Sequence, residues 1–212
     1  MRPNLTPEML LQAYRMGVFP MAEDRDDPKL YWFDPALRGI LPLDGFHLSR
    51  SLRRRLRQAP YRLTLNSDFA GVIAGCAARE TTWINAEIAR LFTELHAKGH
   101  AHSLEVWDKG RLVGGVYGLA LGGLFCGESM FSRRPDASKL ALAYLVTHLN
   151  ACGFQVFDTQ YLTDHLASLG GVEVPRAIYQ TRLARALVAD ADIRRHPLPC
   201  AQDVLQFNTH TS

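Results

Sequence analysis

An α+β fold, a mixed β-sheet flanked by helices and preceded by a small N-terminal α/β module, is what this sequence predicts. Two observations carry the expectation. From Tyr61 onward the hydrophobic period switches between two and about 3.6 residues in the order β-α-α-β-β-β-α-β-α-β. Before Pro60 the chain reads instead as a capped helix, a proline-broken stretch and an arginine-rich helix. A boundary is therefore expected at residue 60, with 1–60 as the small module and 61–212 as the main domain. A chain of this length buries about 70% of its unfolded surface, so neither a disulfide nor a metal is needed to hold its core.

Thr6 caps the first helix, Pro7 suits its first position, and Gly17 stops it. From Phe19-Pro20 through Pro28, Pro35 and Pro42 the prolines exclude a central strand or a long helix, and a surface of shaped loops is expected. Residues 49–59 read as a helix. At about 100° per residue, Arg50, Arg53, Arg54 and Arg57 share one face, with Leu48, Leu52, Leu56 and Ala59 opposite. The whole chain carries 24 Lys+Arg against 21 Asp+Glu, so four arginines on one helix face concentrate charge well above the average. A solvated face and a phosphate-binding face both account for them.

Tyr61–Asn66 alternates as a strand, and Ser67–Arg79 places Phe69, Val72, Ile73 and Cys76 at helical spacing. Asn85 caps a helix with Ile88, Leu91, Phe92 and Leu95 on one face, ending at Lys98-Gly99. Strands follow at about 101–107, 111–119 and 123–130; Asp108-Lys109-Gly110 and Gly122-Gly123 separate them, as antiparallel hairpins require. Residues 137–152 are helical and apolar on most sides, which implies burial on the sheet. Gln155–Gln160 is a short strand, and Asp164 caps a helical turn ended by Gly170-Gly171. A strand near 172–174 and a helix near 177–189 complete the domain, and the tail from His196-Pro197 shows no period and is expected to lie over the surface.

Several function classes drop out. The longest apolar runs fall well short of the roughly 18 residues of a membrane helix, and Met-Arg-Pro-Asn-Leu-Thr-Pro holds no apolar signal core, so a cytoplasmic protein is expected. Cys76, Cys126, Cys152 and Cys200 form no C-x-x-C pair, which argues for reduced thiols. His100 and His102 share a strand face but lack a third ligand at a supporting spacing, so no metal and no other cofactor is expected. Gly127-Glu128-Ser129-Met130-Phe131 lacks the second glycine of a nucleophile elbow and closes a hairpin strand, which argues against a serine hydrolase.

The element order after Tyr61 resembles the acetyltransferase (GNAT) fold. Yet Arg133-Arg134-Pro135-Asp136-Ala137-Ser138-Lys139, before the long helix, has no glycine to let a backbone approach a pyrophosphate. A more specific resemblance rests on Gly17-Val18-Phe19-Pro20-Met21, Thr82-Trp83-Ile84, the run Gly99–Trp107 and Leu112-Val113-Gly114-Gly115-Val116-Tyr117-Gly118. It continues in Phe125–Ser132, Ala137-Ser138-Lys139, Phe157-Asp158-Thr159-Gln160 and His165-Leu166-Ala167-Ser168-Leu169-Gly170. Together these resemble the bacterial leucyl/phenylalanyl-tRNA–protein transferases over about residues 5–180. Asp136 departs from the family's usual Asn, and the Thr81-Thr82 segment before Trp83 is short.

The resemblance implies an aminoacyltransferase that moves Leu or Phe, and also Met, from aminoacyl-tRNA to proteins beginning with Arg or Lys, marking them for degradation by the N-end rule. A monomer is expected. Such chemistry starts from an activated ester and an α-amine of pKa about 8, so it needs orientation, help with a proton and oxyanion stabilisation. Asp158 and Gln160, two apart on a strand, point to one face, and the resemblance makes them the catalytic pair. It also implies an apolar pocket of Met130, Leu142, Leu145, Leu149 and Phe157, aromatic contacts to the tRNA end from Trp32 and Trp83, and Glu128 as anchor for the basic acceptor. Plain core packing gives Leu142, Leu145 and Leu149 the same spacing. Arg50, Arg53, Arg54 and Arg57 are then the tRNA-backbone contacts. The alternatives that remain are a non-catalytic tRNA- or peptide-binding protein and a related transferase with another acceptor or acyl donor.

Overall fold

The computed structural model describes residues 5–208; residues 1–4 and 209–212, the outer ends of the two expected domains, lie outside the described residues. In chain order the first elements are α1 (Pro7–Arg15), β1 (Phe19–Met21), β2 (Tyr31–Phe33), β3 (Leu37–Ile40), α2 (Arg50–Gln58), β4 (Arg62–Leu65), α3 (Phe69–Ala77) and α4 (Ala86–Ala97). Then come β5 (Ala101–Asp108), β6 (Arg111–Leu121), β7 (Leu124–Ser132), α5 (Ala137–Ala151), β8 (Val156–Gln160), α6 (Asp164–Ala167), β9 (Val172–Pro175), α7 (Arg176–Leu187) and α8 (Ala201–Phe207). A seven-stranded sheet runs in the order β4-β5-β6-β7-β8-β3-β9, and β1 and β2 form a separate ribbon.

The architecture is the expected mixed α+β one. Neighbouring strands of the large sheet pair antiparallel, except β7 and β8, which pair parallel through the α5 crossover. Local chemistry explains most elements. The Thr6 hydroxyl accepts from Met9 N, Asp68 caps α3 through Gly71 N, and Asn85 caps α4 through Ile88 N. Lys109 and Gly110 both have positive φ, as a tight two-residue hairpin between β5 and β6 requires. Asp136, just before α5, also sits in the left-handed region at φ 63°, one of the few residue types besides glycine that tolerates it.

The sheet divides the core. One face is covered by α1, α3, α4 and α7 through Leu10, Tyr14, Phe69, Val72, Leu91 and Tyr179. The other is covered by α2 and α5 with α8 behind, through Leu52, Leu56, Leu142, Leu145, Leu149 and Val204.

Three expectations need correction. The proline-broken stretch does hold strands, and β3 is an interior strand of the large sheet, paired with β8 on one side and β9 on the other. The four residues Leu37-Arg38-Gly39-Ile40 fit between Pro35 and Pro42, so neither proline interrupts the ladder. Within residues 1–60, β3 thus belongs to the main sheet and α2 packs into its core. Finally, the tail is not a surface strap, because α8 buries Val204 completely; Ala59, expected on the leucine face of α2, is exposed in a left-handed C-cap instead.

Candidate active site

β8 ends beside β3, and the centre of the site is built there. Gly39 of β3 pairs with Gln160 of β8. A Cβ at Gly39 would lie 2.6 Å from the backbone carbon of Tyr161, so glycine is what lets the chain leaving β8 pass this close. Gln160 itself adopts φ 60°. The turn is held by Asp158, whose Oδ1 accepts from Gln160 N at 2.8 Å.

Asp158 is wholly buried, and Arg38 of β3 meets it with a two-pronged guanidinium: Nε to Oδ1 at 2.9 Å and Nη2 to Oδ2 at 2.6 Å. Tyr179 donates to Oδ2 at 2.7 Å, and Arg38 donates to Gly17 O at 2.8 Å. The guanidinium is stacked between the rings of Phe19 and Tyr179, 4.6 and 4.5 Å from their centroids. Burial works against the charge on Arg38, but the hydrogen bonds and charge of Asp158 outweigh it and hold its proton more tightly than in an ordinary arginine. Burial likewise pushes the Tyr179 hydroxyl far above its usual range, with the Asp158 charge adding to the effect. Both oxygens of Asp158 are thus committed to structure.

Next to this network lies a cavity of about 470 Å³, within the size range of small-ligand sites. Met130, Val116, Leu142, Phe157 and Leu166 line its apolar part, and Glu128, Gln160 and Thr159 its polar part, with Trp83 and Arg79 also on its wall. A Cβ at Gly127 would come within 2.6 Å of the Phe157 ring, so that glycine lets the ring reach its place against β7. Gln160 Nε2 donates to Glu128 Oε1 at 3.3 Å. Burial pushes the Glu128 carboxyl up to about 8. The Tyr14 hydroxyl, facing it without closing a hydrogen bond, and Arg38 pull it back, while the Asp158 charge adds to the rise.

The structure therefore gathers Trp83, Glu128, Met130, Leu142, Phe157 and Gln160 around one cavity. Asp158 stands behind it and does not line it; Gln160 reaches it because the left-handed turn takes the chain out of strand alternation. Leu145 and Leu149 lie in the core under α5, away from the cavity, since successive turns of the helix carry them along the sheet. Trp32, on β2, lies in a second groove with Tyr31, Met9 and Arg90. On α2, Arg50, Arg54 and Arg57 are exposed, whereas Arg53 donates to Leu48 O and Asn208 O and so ties α2 to the end of α8. Sequence reasoning missed Arg38, Val116 and Leu166. For Arg38 one signal existed, a lone arginine within a short apolar stretch.

An apolar cavity whose wall also carries a carboxamide and a carboxylate, with the neighbouring aspartate locked away, is suited to orienting an activated acyl group against an incoming nucleophile. The molecule is an acyl-group transferase. The sequence matches the family model described as "Leucyl/phenylalanyl-tRNA protein transferase" over residues 40–184, and that of the family's N-terminal domain over residues 3–36. The chain belongs to the leucyl/phenylalanyl-tRNA–protein transferase family. It is 61% identical over 209 residues to "Leucyl/phenylalanyl-tRNA--protein transferase" of Ruegeria sp. (strain TM1040), covering 99% of this chain and 100% of the relative. A relative of the same name from Cereibacter sphaeroides (strain ATCC 17025 / ATH 2.4.3) is 61% identical over 211 residues, covering 99% of each chain. Among solved structures, "The structure of L-PGS from Bacillus licheniformis" aligns at 16% identity with a TM-score of 0.43, covering 76% of this chain and 61% of that one.

Proposed function

We propose that this aminoacyltransferase carries Leu, Phe or Met from aminoacyl-tRNA to the N-terminal Arg or Lys of acceptor proteins, as a cytoplasmic monomer, creating an N-terminal degradation signal. The observation that carries the reading is the cavity: apolar on the side of Met130, Val116, Leu142 and Phe157, and polar at Gln160 and Glu128. An unbranched-at-Cβ side chain fits the first part, leaving its ester carbonyl beside Gln160 and a cationic acceptor beside Glu128. Trp83 offers an aromatic face where the terminal adenosine would stack, worth about 1–3 kcal/mol. No helix among the described residues is long and apolar enough to cross a membrane.

The parallel β7–β8 pair bridged by α5 supports the acetyltransferase-like topology, with tRNA in place of a thioester donor. Arg50, Arg54 and Arg57 supply the phosphate-facing charge, and Gln160, held by Asp158, orients the reacting groups. Charged Leu-tRNA incubated with a labelled peptide beginning with Arg tests the reading. Extension by one Leu is expected, and no extension from Leu, Phe or Met donors would sink it.

A further inference from the structure

Resting on that reading, we propose that Glu128 is the proton acceptor of the transfer reaction, receiving a proton from the attacking α-amine and passing it to the departing ribose oxygen. Asp158 faces away from the cavity, and its two oxygens already accept from Arg38, Tyr179 and the Gln160 backbone. Gln160 is an amide with no useful basicity. Glu128 is the acidic residue on the cavity wall, and Gln160 Nε2 holds its Oε1 at 3.3 Å.

Its surroundings suit the task. Tyr14 from α1 and Tyr117 from β6 face it, Cys126 neighbours it on β7, and Asp158 and Arg38 lie behind, with Arg79 and His165 on the cavity wall. Burial places its titration at about 8, close to that of the amine it would serve. A base matched to its substrate in this way transfers protons most effectively near neutral pH.

The step balances without a co-reactant. The acceptor enters as the neutral amine, having shed its extra proton to solvent. Its lone pair forms the C–N bond to the ester carbonyl carbon while Glu128 Oε takes one N–H proton. The tetrahedral adduct collapses, the C–O bond to the ribose breaks, and the proton on Glu128 goes to that oxygen. Peptide and free tRNA leave, and Glu128 is again a carboxylate.

Single-turnover transfer from saturating Leu-tRNA, followed between about pH 6 and 9, tests the assignment. Peptides beginning with Arg and with citrulline, its neutral isostere, serve as acceptors. Below about pH 7, kcat/KM for wild type should climb with a slope near two, because amine and base must both be deprotonated. Glu128→Gln should fall about 100-fold in kcat for both peptides and flatten the slope to about one, while Glu128→Asp keeps the steep slope at a lower rate. A Glu128→Gln loss confined to KM of the Arg peptide would overturn the proposal, leaving only a charge anchor. So would the steep slope surviving in Glu128→Gln, or vanishing in His165→Asn instead. Wild type failing to extend either peptide would overturn the underlying reading, and this proposal with it.

Discussion

Arg38→Met tests the buried network behind the cavity, because methionine fills most of the space between Phe19 and Tyr179 but leaves Asp158 without a counter-charge. Arg38 and Asp158 are 1% and 0% exposed, so water cannot take the guanidinium's place. Breaking a buried pair from one side costs about 3–5 kcal/mol. For a chain of this size that lowers Tm by roughly 6–20 °C. Adding Asp158→Asn removes the stranded charge while keeping an oxygen that can accept from Gln160 N, and should return about 2 kcal/mol. Denaturant unfolding, with transfer measured below each variant's transition, provides the readout. If Arg38→Met unfolds within about 1 kcal/mol of wild type, Arg38 does not hold Asp158 as described.

The cavity and the basic helix yield three further expectations. Each buried methylene contributes about 0.8 kcal/mol, so Leu should exceed Ala as donor by roughly 2 kcal/mol, some 30-fold, and Met130→Trp should erase that advantage by filling the cavity; equal rates for Leu-, Ala- and Ile-tRNA in wild type would contradict it. Leu149→Ala should cost about 2–5 kcal/mol in denaturant unfolding yet leave the Leu-to-Ala donor ratio unchanged, because Leu149 lies in the core and not on the cavity wall. Changing Arg50 and Arg54 together to Ala should flatten the slope of log tRNA affinity against log salt by about 1–2, alike for every aminoacyl-tRNA, while an aminoacyl-adenosine reacts at an undiminished rate.

Legibility in the sequence followed how local the determinants were. The β5-β6-β7 meander and α5 could be read because alternation, hairpin residues and a continuous apolar helix are short-range signals. β3 could not, since its four residues are stabilised by strands more than 115 positions away. The same distance hid Arg38, whose partner Asp158 lies 120 residues along the chain. Asp158 and Gln160 were singled out together, but that Gln160 lines the cavity while Asp158 stands behind it depends on a left-handed backbone at Gln160 that alternation does not anticipate. Periodicity placed Leu142, Leu145 and Leu149 on one helix face, and only the position of the sheet beneath decides that Leu142 alone of the three reaches the cavity. Likewise the arginines of α2 share a face, yet Arg53 is drawn into a bond with the end of α8 that no helical wheel contains.

The placement of the donor is the claim on which the remainder depends. A crystal structure with a non-hydrolysable leucyl-adenosine, the ester oxygen replaced by an amide nitrogen, tests it directly. The leucyl side chain is expected against Met130, Val116, Leu142 and Phe157, its carbonyl beside Gln160, and the adenine at Trp83. Leucine bound instead in the groove of Tyr31 and Trp32, or a cavity left empty at saturating analogue, would contradict it.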